Sequence, residues 1–267
     1  MSNTYRWLAP ITEGAWEQIE AEARRTFITR LAGRRVVDVP EAGGTRLSSV
    51  DVGHVESVNP VLPGVQTWRR IVQPLVELRV PFELSREAID DVDRGAEDSD
   101  WQPVKTAVET LAAAEDTLVC VGSEASSVLG IIPSSSNPVI KLGEGEGALV
   151  EAVAAAVTQL RMVGVQGPYA VMLPPDLYTL VGGGTDDGYP LLERLRRVLG
   201  DNGVVALAPT LSGAIVLTMR GGDYTLTLGE DVRIGYLSHD ARSVQLYVQE
   251  SVTFRVNTAE ASVVLEV

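Results

Sequence analysis

The stretch of this sequence that most suggests chemistry is Gly-Glu-Gly-Glu-Gly-Ala at residues 143–148. It fits the G-x-G-x-x-A pattern that brings a backbone close to a pyrophosphate, and it follows the apolar pair Val139-Ile140 and opens a predicted helix. However, Glu144 and Glu146 would repel a pyrophosphate, and no acidic residue lies about 20 positions later to bind a ribose. A nucleotide-binding enzyme is therefore a disfavoured alternative.

The other residue types that support catalysis or metal binding are scattered. The glycine-rich segment 181–188 lacks the Lys-Ser/Thr pair of a phosphate-binding loop. The two histidines, His54 and His239, fall in different predicted units, and no cysteine or third histidine joins either to form a zinc site. No G-x-S-x-G elbow accompanies His239 for a Ser-His-Asp triad. The sequence predicts no catalytic residue and no metal site.

The composition limits the class of partner. The 267 residues include 36 acidic and 22 basic side chains, a net charge of −14, whereas a nucleic-acid-binding protein needs a basic face. No apolar run reaches the roughly 20 residues of a membrane helix, and no signal-peptide pattern opens the chain. The single cysteine, Cys120, excludes an intrachain disulfide. We therefore expect a cytoplasmic protein with no nucleic-acid or membrane partner.

The N-terminal region predicts an amphipathic helix over residues 13–31, because apolar residues recur there at spacings of three and four. Thr12 is the predicted N-cap, Gly33 ends the helix, and residues 34–39 are predicted to form a short strand. The apolar stripe consists of Trp16, Ile19, Ala23, Phe27 and Leu31.

The pattern of residues 40–72 is not typical of a compact domain. Glycines and prolines separate two weak strands, around 47–52 and 65–72. A two-stranded ribbon is marginal alone in water, so this one is expected to pack against another surface.

The middle of the chain predicts a long helix from Pro103 to about Gly122, followed by an α/β module from about residue 146. Its strands are predicted at 169–173, 204–207 and 214–218. Near the C-terminus, alternation of apolar and polar residues predicts a β-hairpin over residues 220–236, turning at Gly229-Glu230-Asp231. All strands from residue 223 onward are expected to pack with the unit that precedes this α/β module.

Several blocks in consistent order along nearly the whole chain resemble the encapsulins, which are bacterial and archaeal shell proteins with a phage-capsid fold. The likeness is strongest to the actinobacterial members. The blocks include YRWLAPITEGAWEQIEAEARRTF at 5–27, AGRRVVDV at 32–39, ELRVPFELSREAIDDVDRG at 77–95, VGVQGPYAVML at 163–173, RGGDYTLTLGEDVRIGY at 220–236 and VQESVTFRV at 248–256.

The resemblance implies an α+β, HK97 phage-capsid-like fold with a P-domain, an A-domain and an extended E-loop that pairs with a neighbouring subunit. The implied divisions are 1–39 for the N-terminal helix and strand of the P-domain, 40–72 for the E-loop β-ribbon, 73–135 for the P-domain with its spine helix, 136–220 for the A-domain, and 221–267 for C-terminal strands returning to the P-domain.

The resemblance also implies function. Encapsulin shell proteins are not enzymes; they assemble into an icosahedral compartment that encloses a cargo enzyme through its C-terminal targeting peptide. In actinobacterial relatives the cargo is often a dye-decolourising peroxidase or a ferritin-like protein. The peptide groove would use Phe27, Leu31, Arg34, Asp38, Leu226 and Ile234. From the residues alone, the four apolar positions are equally well explained as core.

A pore at the fivefold axes is a second implied site, formed near Asp186, Asp187, Gly188 and Tyr189. Many relatives carry histidine where this chain has Asp187, so the rim is expected to be more acidic here. A ring of repeated carboxylates concentrates cations, and we expect small cations to enter more readily than anions.

Two alternatives concern ligands. Some family members bind a flavin near the stretch matching 79–87 through an aromatic residue, but the corresponding position here is Glu87, so no cofactor is expected. A phage-type major capsid protein that packages DNA would share the implied fold. The acidic composition and the full-length resemblance to encapsulins disfavour it.

Overall fold

The structure, a computed structural model, describes residues 4–143, 145, 147–186 and 188–266. The helices are α1 (Glu13–Arg30), α2 (Arg86–Asp93), α3 (Gln102–Cys120), α4 (Ile131–Ser134), α5 (Ala148–Met162), α6 (Pro175–Gly183) and α7 (Leu191–Leu199). The strands are β1 (Ser49–Val58), β2 (Thr67–Pro74), β3 (Val76–Ser85), β4 (Gly122–Ser123), β5 (Val128–Leu129), β6 (Ile140–Lys141), β7 (Tyr169–Leu173), β8 (Thr185–Asp186), β9 (Tyr189–Pro190), β10 (Val204–Leu207), β11 (Ala214–Thr218), β12 (Tyr224–Leu228), β13 (Arg233–His239), β14 (Ser243–Val256) and β15 (Ser262–Glu266).

The first unit packs α1 and α3 against a four-stranded sheet made of β3, β12, β13 and β14. The predicted stripe of α1 is confirmed as core: Ile19, Ala23, Phe27 and Leu31 are buried, and Trp16 packs partly against them. The hydroxyl of Thr12 caps the helix by accepting a hydrogen bond from the backbone N–H of Ala15 at 3.4 Å.

The predicted strand at 34–39 is wrong. Gly33–Arg35 forms a 3-10 turn, and of this segment Asp38 makes an isolated bridge, to Thr225. The cause is Asp116 of α3, whose carboxylate accepts hydrogen bonds from the N–H groups of Ala32 at 3.0 Å and Gly33 at 2.7 Å. These bonds hold the chain against α3, where a Cβ on Gly33 would lie 3.1 Å from the Asp116 carboxylate.

The predicted hairpin over residues 220–236 is also wrong, although its two strands exist. Both β12 and β13 pair with β14, not with each other. The chain passes between them as a bulge, in which the Gly229 N–H donates to Ser251 O at 2.7 Å and the Ser251 N–H donates to Glu230 O at 3.0 Å. The true turn lies between β13 and β14, where the Asp240 carboxylate accepts the N–H groups of Arg242 and Ser243.

The second unit is a five-stranded sheet in the order β10-β7-β11-β15-β6, covered on one face by α5 and α7. Its strands β7, β10 and β11 agree with the predicted ranges. The expectation that every strand after residue 223 returns to the first unit is wrong for β15, which pairs with β11 and β6. Residues Ser262 to Leu265 are all buried, as in a strand covered on both faces.

The β1–β2 ribbon, defined by residues 49–74, is confirmed as a two-stranded antiparallel element, with strands shifted a few residues from prediction. It contacts the rest of the subunit near its base, where Gln73 donates to Ser127 O at 2.8 Å and Arg255 donates to Asp51 O at 3.2 Å. Its distal part exposes apolar side chains, among them Val61, Leu62 and Trp68.

Candidate functional site

A groove of about 1090 Å³ runs along α1 in the first unit. One wall is the face of α1 that carries Phe27, Ile28 and Leu31, and the other is formed by residues 4–7 and 231–234. We call this feature the α1 groove. The N-terminal segment is tied into place because the Tyr236 N–H of β13 donates to Thr4 O at 2.9 Å.

Further contacts hold the N-terminal wall against α1. The Arg6 guanidinium lies 4.2 Å from the centroid of the Trp16 ring and pairs with Glu20. Cation–π contact and ion pair together orient this wall. Trp7 is left 58% exposed at the groove.

Four of the six residues assigned to peptide binding meet at this groove: Phe27, Leu31, Arg34 and Ile234. They come from the end of α1, the 3-10 turn and the start of β13, which are separated by about 200 residues of sequence. On the side away from the groove, Phe27, Leu31 and Ile234 pack in the core with residues of α3 and β14.

The structure does not bring the other two residues to the groove. Leu226 is 0% exposed and faces the core shared by the two sheets, since β12 alternates buried Tyr224, Leu226 and Leu228 with half-buried threonines. The Asp38 carboxylate accepts the Gly222 N–H at 2.6 Å and so orders the turn before β12.

Sequence reasoning missed the most exposed apolar residue of the site. Ile28 is 65% exposed and lines the groove beside Phe27. The available signal was that Ile28 is an apolar residue outside the buried stripe of an otherwise polar helix face. It also missed Glu17, Arg24 and Arg35, whose charged side chains line the groove.

Arg34 joins the groove to a cluster of carboxylates behind it. Its Nε lies 2.9 Å from Glu115 Oε1, and its Nη2 lies 2.6 Å from Glu115 Oε2 and 3.0 Å from Glu250 Oε2. Its Nη1 donates to Asp231 Oδ1 at 2.9 Å. On its other side, the guanidinium lies 5.0 Å from the Phe27 ring centroid. Ion pairs on the core side therefore hold Arg34 in position at the groove.

Two of these carboxylates are almost fully buried: Glu115 is 0% and Glu250 is 1% exposed. Burial, together with repulsion from and hydrogen bonding to Glu115, raises the pKa of Glu250 well above its ordinary value. Glu250 therefore takes up a proton more readily than an exposed glutamate. That proton relieves the repulsion between two carboxylates that share a single guanidinium nitrogen.

Asp116, the next residue of α3, is a third buried acid. Burial raises its pKa to about 6, although the N–H bonds from Gly33 and Ala32 oppose the shift. Its role is structural, because both hydrogen bonds go to the backbone that carries Arg34 into the groove.

Of the residues assigned to a pore, Asp186, Gly188 and Tyr189 lie in the second unit, apart from the α1 groove. The short strands β8 and β9 pair through Thr185 with Pro190 and Asp186 with Tyr189. Gly188 has a φ of +80°, which glycine adopts without strain, and Tyr189 is exposed. Asp187 lies outside the described residues.

The glycine-rich stretch at 143–148, which suggested nucleotide chemistry, is described only in part. Glu144 and Glu146 lie outside the described residues, and α5 begins at Ala148. Within the described ranges, no group of three His, Cys, Asp or Glu side chains is placed to hold a metal ion. His239 contacts Tyr236, with 2.6 Å between Nδ1 and the hydroxyl oxygen. Over the same ranges, no helix combines the length and apolar character needed to span a membrane.

Comparison with known proteins identifies relatives over nearly the whole chain. A family model described as "Encapsulating protein for peroxidase" matches residues 1–253. The type 1 encapsulin shell protein of Rhodococcus erythropolis is 51% identical, over 99% of this chain and 100% of its own length. Its name describes a shell protein, not an enzyme.

Solved structures match the fold at low sequence identity. A virus-like particle from Pyrococcus furiosus superposes with a TM-score of 0.65 at 17% identity, covering 94% of this chain and 99% of its own. The capsid of Myoviridae phage XM1 superposes with a TM-score of 0.54 at 13% identity, covering 90% of each chain. The predicted α+β, HK97-like capsid fold is thereby confirmed.

Proposed function

This chain belongs to the family of encapsulating proteins for peroxidase, the type 1 encapsulin shell proteins, and we propose that its α1 groove binds the targeting peptide of an enclosed cargo protein. The chain is a shell protein and not itself an enzyme.

The observation that carries the proposal is the convergence of Phe27, Leu31, Arg34 and Ile234 on one preformed groove. A short extended peptide binds through apolar anchors in a groove and polar contacts that set its direction. Ile28 and Trp7 leave exposed apolar surface for such anchors. Arg34 and the charged groups along the rim offer the polar contacts.

A peroxidase is the cargo class that we favour, because the family description names one. A dye-decolourising peroxidase is the first candidate, and a ferritin-like protein is the second. We place the assembled compartment in the cytoplasm.

We further infer that many copies close into an icosahedral shell in which the β1–β2 ribbon serves as the E-loop. The ribbon exposes Val61 by 78% and Leu62 by 64% at its tip. Contiguous exposed apolar surface of this kind marks an interaction site, and a neighbouring subunit would cover it.

The pore proposal rests on the resemblance to the encapsulins at Asp186, Asp187, Gly188 and Tyr189 and on the net charge of −14. Repeated around a symmetry axis, these carboxylates would favour cations over anions. Replacing both aspartates with asparagine is expected to slow cation entry, measured as uptake of a fluorescence-quenching cation by dye-filled shells. Unchanged entry would overturn the pore proposal.

Light scattering after size-exclusion chromatography, with negative-stain imaging, tests assembly directly. A uniform population of hollow particles of megadalton mass is expected. A monomer or dimer that persists across salt and protein concentration would contradict the closed shell.

Cargo binding is tested by Ile28→Asp, with Thr29→Asp as its matched control. Both place the same charge at exposed neighbouring positions near the end of α1, but of these two residues the groove is lined by Ile28. We expect Ile28→Asp shells to assemble and to retain about tenfold less cargo, because the charge would be desolvated by a bound apolar anchor. Equal cargo content in both variants would contradict the groove proposal.

A further inference from the structure

The charged residues that line the α1 groove are arranged with opposite signs along its length. Glu17 and Arg24 are seven residues apart on α1, which is two helical turns or about 10 Å on the same face. Arg35 lies past the end of the helix, on the side of Arg24. One end of the groove is therefore acidic and the other is basic.

These three charges differ from the rest of the groove lining because nothing described in the subunit neutralises them. No ion pair or side-chain hydrogen bond involves Glu17, Arg24 or Arg35 among the described residues. The other charged lining groups are compensated: Arg6 pairs with Glu20, Arg34 with Glu115, Glu250 and Asp231, and Arg233 with Glu230.

Two arginines without an ion pair among the described residues are notable in a chain whose net charge is −14. A guanidinium matches a carboxylate with two parallel hydrogen bonds, which adds direction to the attraction. The apolar wall beside it, with exposed Ile28 one turn from Arg24, lowers the local dielectric once a peptide covers it. A carboxylate placed there is held more strongly than one on open surface.

We infer that the α1 groove accepts its peptide in one direction, with an acidic side chain of the peptide bound at the Arg24–Arg35 end. This inference rests on the proposed cargo-binding function and adds the chemistry and orientation of the occupant. The acidic residue flanks the apolar residues that pack on Ile28 and Trp7. Glu17 disfavours the reversed orientation, since the acidic residue would then lie beside a like charge.

The first experiment uses assembled shells purified with the cargo that accompanies them. The double variant Arg24→Glu with Arg35→Glu is compared with Arg25→Glu, which reverses one charge on α1 outside the groove, at a residue paired with Glu22. We expect cargo per shell to fall at least about tenfold in the double variant. For Arg25→Glu we expect it to stay within about twofold of wild type, a difference of roughly 0.4 kcal/mol.

The second experiment tests orientation and charge with a defined probe. The last 20 residues of the accompanying cargo are fused to a fluorescent protein, and a second fusion has the acidic residues of that tail replaced with lysine. At the rise of an extended strand, about 20 residues are roughly twice the length that a groove-bound segment needs. We expect the lysine tail to bind wild-type shells weakly and to regain binding on the Arg24→Glu, Arg35→Glu shells. Binding of the native tail should weaken as salt rises.

The outcomes separate this inference from the function on which it rests. If Ile28→Asp removes binding but the arginine substitutions do not, or if the cargo tail holds no acidic residue, the directional inference is overturned and the cargo groove stands. If Ile28→Asp leaves binding unchanged, the cargo groove fails and the inference fails with it.

Discussion

The α1 groove and the β1–β2 ribbon both expose apolar side chains, but the subunit supports them in different ways. Ile28 of the groove stands on a helix whose opposite face is packed into the core, and Arg34 is held from below by carboxylates. Val61 and Leu62 of the ribbon have no such support, because the ribbon is joined to the subunit near its base.

The difference indicates when each surface takes on its final shape. A groove preformed by buried contacts binds a peptide without a large ordering cost in the protein. A two-stranded ribbon is marginally stable by itself and gains order when a partner covers it. The groove therefore suits the proposed cargo peptide, and the ribbon suits the proposed contact with a neighbouring subunit.

The largest expected effect on the stability of the subunit tests the carboxylates that hold Arg34 behind the groove. Arg34→Met leaves Glu115 and Glu250 buried without their cation, and removing one partner of a buried ion pair costs about 3–5 kcal/mol. Arg35→Met, at an exposed neighbour, should stay within about 0.5 kcal/mol. Urea unfolding of the two variants measures the difference. Similar stabilities would mean that the groove is not held by this cluster.

The second prediction concerns the ribbon. Val61→Asp with Leu62→Asp should block or weaken assembly, because each apolar side chain buried against a neighbour contributes about 1.5–3 kcal/mol. The unfolding midpoint of the free subunit should not change, since both side chains are exposed in it. Asn59→Asp adds charge close to the tip and serves as the control. Light scattering distinguishes assembled from free subunits. Normal particles formed by the double variant would contradict the proposal that the ribbon contacts a neighbouring subunit.

The smallest effect should appear in the pH dependence of stability. The pKa of Glu250 is raised by burial from about 4.5 in the unfolded chain, so its protonated form stabilises the fold at low pH. That stabilisation is lost as the pH rises through the raised pKa, with a slope of up to about 1.4 kcal/mol per pH unit. Glu250→Gln imitates the protonated side chain, so the free energy of unfolding of this variant should fall less as the pH rises.

Glu77→Gln is the control for the pH experiment, because Glu77 lies on the neighbouring strand β3 with an exposed carboxylate. Denaturant unfolding between about pH 5 and pH 9 compares both variants with wild type, a range that brackets titration above the ordinary glutamate pKa. A Glu250→Gln profile parallel to wild type would show that Glu250 does not titrate in the folded subunit over this range.

Much of the secondary structure could be predicted from local pattern. The stripe of α1, its Thr12 cap and the strands β7, β10 and β11 agree with the sequence-based ranges, because periodicity and capping act over a few residues. The family was also recognisable from blocks spread along the chain. Of the six residues that the resemblance assigns to peptide binding, four lie at the α1 groove. Leu226 and Asp38 lie outside its lining.

The wrong predictions share one cause. The pattern of apolar residues in a strand shows which face is buried, but it does not show which other segment the strand pairs with. Alternation in β12 and β13 is correct, yet both pair with β14, and β15 joins the other sheet. The 3-10 turn at Gly33–Arg35 depends on Asp116, more than 80 residues away in the chain.

The sequence by itself determined the elements and the apolar face of α1, because these follow from contacts within one or two helical turns. Only the tertiary structure decided that Glu115 and Glu250, on α3 and β14, are buried around Arg34. It also decided that Glu17, Arg24 and Arg35, which form no ion pair with another described residue, line one groove. Burial and pairing of charges depend on which distant segments meet, and periodicity carries no information about that.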